Sequence, residues 1–428
     1  MIRKLIWAFT ATAALFGCCQ EIEPTHQDKS AFTITTSPAQ TTGTEMNFSW
    51  ATDTSIVSAV LEVTEVGDRN WKKSVTRRFD GILCTTFDSI YSKTDKGEDF
   101  WEDVVINKYN GHIDGLEADT RYKYRIITTD TSSVHYFHTA GAKVWEACII
   151  SDFHVYSPIY SRTQAAMDMI STVENYKPFD WILHLGDITA WGGSYTFWKD
   201  LYKEAPFYKY MWAGVNGNHD NMTRGYHRTT NEFFRDAAAY PLNGYPGEEG
   251  VCYHFRYGDV LFIMLNNENM RDSLGLEAAQ RWVRKVVKEN PAPYKVVCEH
   301  YQWFFGKDGK TSQYGRWSAL FDELGINLAL AGNNHIYVST PAIYDGNITD
   351  GSKGTVYIQT PSSDNERGVE YDHQASLAEN SDKIKFRWSE GGNTVGAMHM
   401  RVTPEKMTLV LLDRYGNVLD TNYVYPTK

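Results

Sequence analysis

Five apolar, strand-length runs in this chain each stop at residues able to hold a cation or move a proton. Cys148-Ile149-Ile150 leads into Ser151-Asp152-Phe153-His154, and Trp181 to Leu185 into Gly186-Asp187. Tyr210 to Val215 leads into Gly217-Asn218-His219-Asp220, Lys295 to Cys298 into Glu299-His300, and Ile326 to Ala331 into Gly332-Asn333-Asn334-His335. Helical patterns lie between them. Ala166, Met167, Ile170 and Val173 recur in Thr163 to Asn175, and Tyr195, Trp198, Leu201 and Tyr202 share a face. Ala279, Trp282, Val283, Val286 and Val287 mark a third helix, Leu276 to Lys288, which Pro291 and Pro293 stop. Alternating strands and helices make an α/β fold, and such folds place their sites at one rim, outside the strand ends. On an extended strand residues i and i+2 share a side, so Asp152 and His154 project together. A carboxylate beside a neutral imidazole is a ligand pair for a divalent transition metal. Gly186 gives the backbone freedom to turn Asp187 toward the same centre. Val251 to Tyr257 and Val260 to Leu265 read as a hairpin about Gly258-Asp259. Met398, Met400 and Val402, then Met407, Leu409 and Leu411, read as a closing strand pair.

The chain has 428 residues, enough for more than one domain. Its net charge of -11 argues against a nucleic-acid partner, whose backbone is met by a basic surface. A small anionic substrate stays open, because a bound metal reverses the local field. Arg3 and Lys4 precede the apolar run Leu5 to Phe16, the layout of an export signal over residues 1–17 and too short to span a bilayer. Leu15-Phe16-Gly17-Cys18 resembles a bacterial lipobox. That resemblance implies cleavage before Cys18, lipidation of its thiol, and a membrane-anchored protein of the cell envelope. Residues 18–30 then form a polar tether. Cys148, Cys252 and Cys298 lie in apolar runs and read as buried thiols.

Residues 31–142 read as all-β, with short alternating runs such as Met46 to Trp50 and Ala59 to Val63. Leu116 to Ile126, with Tyr122 and Tyr124 alternating with charges, resembles the corner before strand F of fibronectin type III sandwiches. The resemblance implies that Tyr122 packs across the corner with its hydroxyl returned to backbone. Ala118 stands where that corner expects proline. The domain shows no cluster of chemistry. His112, His135 and His138 read as strand-face or loop residues, and the domain as a spacer ahead of an α/β domain over residues 143–428.

Taken in order, Asp-x-His, Gly-Asp, Gly-Asn-His-Asp, His and Gly-x-x-His resemble the calcineurin-like metallophosphoesterase superfamily. With the fibronectin-like domain ahead, the layout is similar to that of purple acid phosphatases. The resemblance implies a four-layer α/β/β/α sandwich. It implies an exported hydrolase of phosphate monoesters, acting on a phosphorylated small molecule or glycan by attack of a metal-bound hydroxide. Two alternatives stand beside it: a phosphodiesterase for nucleotide, lipid or glycan diesters, and a non-catalytic surface lipoprotein with a degenerate metal site. One or two metal ions are implied, of Mn, Fe or Zn. Asp152, His154 and His335 would hold the first ion and Asp187 would bridge both. Asn218 and His300 would hold the second, with Asn333 at the remaining ligand position. His219 matches the family's non-ligand histidine, which steadies phosphoryl oxygens or protonates the leaving alkoxide, and Asp220 would orient it. Asn218, His219, Arg224, His227 and Tyr301 are candidates to touch substrate. Trp303, Phe304 and Phe305 read as packing, His184 as core, and Asn266 and Asn267 as rim residues.

Two departures from the family pattern carry consequences. Asn333 replaces the first histidine of the usual Gly-His-x-His. An amide oxygen is a poorer donor to a transition metal and brings no charge, which implies a weakened second site. Ala190 stands three residues after Asp187, where purple acid phosphatases carry a tyrosine whose iron band colours them. Its absence implies no tyrosinate–iron absorption in the visible spectrum.

Overall fold

The computed structural model describes residues 29–91, 99–141, 143–157, 160–223, 232–305, 312–364, 380–389 and 394–427. The leader, Cys18, and the candidates Arg224 and His227 lie outside the described residues. Eight strands open the described chain: β1 (Phe32–Pro38), β2 (Met46–Thr52), β3 (Ser58–Glu65), β4 (Val75–Asp80), β5 (Ile82–Tyr91), β6 (Asp99–Ile113), β7 (Arg121–Ile127) and β8 (His135–His138). They form two antiparallel sheets, β1-β2-β6-β5 and β4-β3-β7-β8. Period-two burial drives the pairing. In β3, buried Ala59, Leu61 and Val63 alternate with partly exposed Val60 and Glu62. Phe48, Trp50, Tyr109, Tyr124 and Phe137 fill the space between the sheets. The Tyr122 hydroxyl accepts the Glu117 N–H at 2.9 Å, so the corner closes without its proline.

The rest of the described chain is a four-layer sandwich. The first sheet takes β9 (Trp145–Ile150), β10 (Trp181–His184) and β11 (Met211–Gly214) in parallel, then β21 (Gly396–Val402), β22 (Met407–Asp413) and β23 (Val418–Val424), in the order β11-β10-β9-β21-β22-β23. The second runs β12-β13-β14-β15-β19-β16-β20, from β12 (Tyr253–Tyr257), β13 (Val260–Met264), β14 (Tyr294–Cys298), β15 (Leu328–Ala331), β16 (Tyr337–Ser339), β19 (Val356–Gln359) and β20 (Phe386–Trp388). A small ribbon, β17 (Ile343–Tyr344) with β18 (Asn347–Ile348), stands apart. Helix α1 (Tyr160–Tyr176) covers the first sheet, with α2 (Tyr195–Leu201) and α3 (Ala205–Lys209) beside it. After α4 (Glu232–Ala237), helices α5 (Ser273–Glu289) and α6 (Tyr314–Leu324) cover the second.

Strand β13 shows why the layers stack. Val260, Phe262 and Met264 face the first sheet, while Leu261, Ile263 and Leu265 face α5 and α6. A strand apolar on both faces must be covered twice. Each such side chain contributes roughly 1.5–3 kcal/mol on full burial. The same two-sided character hides sheet membership from the sequence. Three of the runs that end in ligand-type residues lie in the first sheet and two in the second, so the rim belongs to both sheets and not to one. The closing pair of strands gains a third, β23, whose half-exposed face lacks a continuous apolar pattern.

The all-β domain is docked on the α/β domain. Residues of both domains fall in one continuous apolar core. The Arg256 N–H donates to Gln40 O at 2.9 Å, Thr42 N–H donates to Arg256 O at 3.2 Å, and His135 stacks on Tyr208 at 4.3 Å. His138 reaches across with Nδ1 at 2.8 Å from Asp180 Oδ1, and its Nε2 lies 3.4 Å from Asp119. Burial disfavours a charged His138, but the hydrogen bond and charge of Asp180, helped by Asp119, outweigh it and raise the pKa. A raised folded pKa means the contact stabilises most below the unfolded value of about 6.5 and fades as pH rises through the folded value. His138→Gln should therefore lower the unfolding free energy by about 1 kcal/mol at pH 5.5, with the gap closing toward pH 8.5. Denaturant titrations of both proteins across that range check this; a gap independent of pH would contradict it.

Candidate metal centre

The strand ends turn inward through backbone that side chains seldom adopt. Asp152, His154, Asp187, Asn333 and His335 have φ between 45° and 73°. Left-handed backbone costs a non-glycine residue on the order of 1–2 kcal/mol, so something must hold it. The tips do so by latching to one another. Asp152 N–H donates to Gly186 O at 3.0 Å, His154 N–H to Asp187 O at 3.0 Å, and Gly332 N–H to His300 O at 2.9 Å. Asn333 N–H donates to Asp152 Oδ2 at 3.1 Å, and His219 N–H to Asp187 Oδ1 at 2.8 Å. The approach is close enough to require glycine: a Cβ on Gly186 would lie 2.4 Å from His300 Nδ1, and one on Gly332 would lie 2.2 Å from Ser151 Oγ.

The side chains converge into one buried cup. Ligand atoms of Asp152, His154 and His335 lie within 4.8 Å of one another, as do those of His154, Asp187 and His219, and those of Asp152, Asp187 and His300. Asp187 Oδ2 is 3.2 Å from both His154 Nε2 and His300 Nε2, and Asp152 Oδ1 is 3.4 Å from His335 Nε2. Burial works against charge on Asp152, Asp187 and His300, yet their mutual attraction prevails. His335 and His300 hold Asp152 below the usual carboxylate range, and His300 and His219 hold Asp187 well below it. The two carboxylates push His300 up to about 10. His300 Nδ1–H donates to Leu185 O and His219 Nδ1–H to Ala190 O, each at 2.7 Å. A carbonyl can only accept, so Nδ1 carries the proton and Nε2 is the atom left for a metal or a substrate.

These residues fit a metal. Asn218 Oδ1 is buried and lacks a hydrogen-bond partner among the described residues, and Asp152 Oδ1 and His300 Nε2 meet only ion-pair partners, His335 at 3.4 Å and Asp187 at 3.2 Å, outside hydrogen-bond geometry. An orphan such as Asn218 Oδ1 costs about 1–3 kcal/mol unless something arrives to meet it. Buried carboxylate and imidazole clusters of this kind suit a dinuclear metal site.

Other candidates are placed differently. Asp220 does not orient His219. Its Oδ1 accepts Ile188 N–H at 3.0 Å and Thr189 N–H at 3.1 Å, and its Oδ2 accepts Gly217 N–H at 2.9 Å. It ties the two ligand loops together from behind, because its side chain turns away from the imidazole that precedes it. Burial and the Asp187 charge push it up to about 7, against those amides, which favour the carboxylate. The Asn333 amide donates to Gln302 Oε1. The Tyr301 hydroxyl donates to Glu268 Oε1 at 2.5 Å and receives Arg271. Trp303, Phe304 and Phe305 belong to the core under α6. His184 is fully buried, accepts Gly186 N–H at 3.1 Å, and is held neutral by burial, down to about 3.

Two supporting residues escaped the sequence reasoning or were underrated by it. Asp364 Oδ2 lies 3.4 Å from His154 Nδ1 and 3.6 Å from Arg162 Nε, a carboxylate backing a ligand histidine. A signal for it exists, since Val356 to Gln359 is a sixth apolar strand followed by Ser362-Ser363-Asp364. Asn267 Oδ1 accepts the N–H groups of His300 and Tyr301 at 2.8 and 2.7 Å, and so fixes where His300 enters. Asp364→Asn should weaken metal binding about 10–100-fold. Calorimetric titration with Mn²⁺ or Zn²⁺ measures it, and unchanged affinity would remove Asp364 from the site.

A family model described as calcineurin-like phosphoesterase matches residues 147–337, and one described as purple acid phosphatase, N-terminal domain, matches residues 32–139. No curated protein matches the chain. Among solved structures, the fold is similar to that of purple acid phosphatase PPD1 from yellow lupin (Lupinus luteus) seeds. That likeness has 13% identity and a TM-score of 0.68, over 93% of this chain and 74% of that one. It is also similar to PhoD, at 14% identity and a TM-score of 0.61, over 94% of this chain and 90% of that one. The family models, with a buried Asp/His cup at the strand ends, identify a calcineurin-like phosphoesterase domain over residues 147–337, preceded by a purple acid phosphatase N-terminal domain over residues 32–139.

Proposed function

We propose that the protein hydrolyses phosphate monoesters of a small molecule or glycan. The observation that carries this is the buried cup of Asp152, His154, Asp187, His300 and His335 with His219 at its side. Asp152, His154 and His335 would hold one ion, Asn218 and His300 a second, and Asp187 both. When bound, the ions supply Lewis-acid charge for phosphoryl oxygens and lower the pKa of water. The chain's residues do the rest. Asn218 would present its buried carboxamide oxygen to the cation, leaving its amide protons for a phosphoryl oxygen. His219, fixed through Nδ1, presents Nε2 to steady a phosphoryl oxygen or hand a proton to the leaving alkoxide. Burial of the cup strengthens each of these interactions by excluding water. The purple acid phosphatase N-terminal domain supports the monoester over the diester.

We also propose export and a lipid anchor at Cys18, supported by Arg3, Lys4, the apolar run to Phe16 and Gly17. No helix among the described residues is long and apolar enough to cross a membrane. Cys18→Ser should move the protein from the membrane fraction to the soluble fraction; a variant that stays with membranes would refute the anchor.

An aryl phosphate and its bis-aryl ester, assayed with added Mn, Fe or Zn, test the activity. Faster turnover of the monoester is expected, falling to background in Asp187→Ala. Faster diester turnover would overturn the monoester assignment, and silence with every metal would favour a ligand-binding protein. Because a neutral amide oxygen at Asn333 stands in for an imidazole, dialysed protein should keep fewer than two tightly held ions by elemental analysis; two would rule out a weakened second site.

A further inference from the structure

The loop that carries the partner of His219 is gripped by the other domain. Between β10 and α2, Ala190 O receives His219 Nδ1–H, Gly192 N–H donates to His219 O at 2.9 Å, and the Trp191 ring lies 5.4 Å from the imidazole. Two residues later the same loop meets β5. Asp88 bridges Ser194 in antiparallel fashion, and its carboxylate accepts the Thr196 hydroxyl. Asp88 is 2% exposed. Phe87 packs edge-on to Phe233 at 4.6 Å and presses on Gly193, where a Cβ would meet Phe87, Thr223 and Phe233 at 3.2–3.3 Å. Tyr195 sits in an apolar cluster with Phe32, Ala51, Val104 and Ile106, and its hydroxyl lies 3.4 Å from Thr33 Oγ1.

A loop of this length without regular structure would be free to shift if nothing held its far end. Here that end is stitched to a strand paired along its length with β6. We propose that Asp88 and Phe87 are positioning residues for His219, so that the all-β domain is a working part of the centre. They act through Thr196, Ser194 and Gly193, which set where Ala190 O stands, and Ala190 O sets the tautomer and direction of the imidazole. The inference rests on the role given to His219 under the proposed hydrolysis. A displacement of about 1 Å at a reacting group can cost on the order of 100-fold in rate.

The test uses the full chain and the variants Thr196→Val and Asp88→Ala, with Leu83→Ser as control, since Leu83 is exposed on the same strand. Histidine-selective ¹⁵N NMR reads His219 directly and needs no activity. The wild type should show one Nδ1–H tautomer, and both variants a tautomeric mixture, with Asp88→Asn restoring the single form because it keeps an acceptor. In the aryl phosphatase assay, kcat should fall about tenfold or more at unchanged KM and unchanged metal content. Spectra unaltered in both variants would overturn the proposal, as would an equal effect from Leu83→Ser or a loss of kcat that follows loss of metal. An inactive wild type with the NMR response intact would sink the hydrolytic reading and leave the clamp standing.

Discussion

The centre depends on keeping the Asp152 and Asp187 carboxylates ionised where water cannot reach them. A lone buried carboxylate carries a desolvation penalty of several kcal/mol. The fold meets it with imidazoles on the cup side and amide N–H groups behind: His219 N–H on Asp187, and Asn333 N–H with the Ser151 hydroxyl on Asp152. What these donors leave over are ion-pair contacts of 3.2–3.4 Å between carboxylate and imidazole inside the cup. An assembly of that kind is stable with a cation and strained without one.

Holding it takes the whole sandwich. The left-handed turns after β9, β10 and β15 persist because each tip is bonded to the tip of another strand, in part from the opposite sheet. Gly332 N–H reaches His300 O within the second sheet, while Asn333 N–H crosses to Asp152 in the first. Separation of the two sheets would break the cup, so the apolar layer between them, with Phe262, Met264, Leu330, Ile149 and Met398, is as much a part of the site as the ligands. Asp220 plays a similar part locally, joining the loops after β10 and β11 through three backbone amides.

Two features set this chain apart from the pattern it otherwise follows. At Asn333 a neutral amide replaces an imidazole, and the structure gives that amide a partner in Gln302, a residue 3% exposed. The substitution is thus built into the surrounding packing. The all-β domain shares a core with the phosphoesterase domain and touches the loop behind His219. Its docking explains why a domain without chemistry of its own is rich in buried contacts to the other.

The members of the buried cluster, Asp152, His154, Asp187, His219, His300 and His335, were legible because each lies at the end of an apolar run. The layer count came from the family resemblance, while the runs and the helices between them gave only the α/β class. Sheet membership was not legible, because strands buried on both faces have no side that says which neighbour they face. Nor was the direction of Asp220, whose hydrogen bonds go to Ile188 and Thr189, distant in sequence. Asp364 could be suspected but not placed, since its approach to His154 spans the chain from β9 to β19. Local pattern records what each residue prefers to bury or to bind. Which residues meet is decided by long-range packing, and only the closed sandwich brings Asp364 to His154, Gln302 to Asn333, and Asp88 to the loop that holds His219.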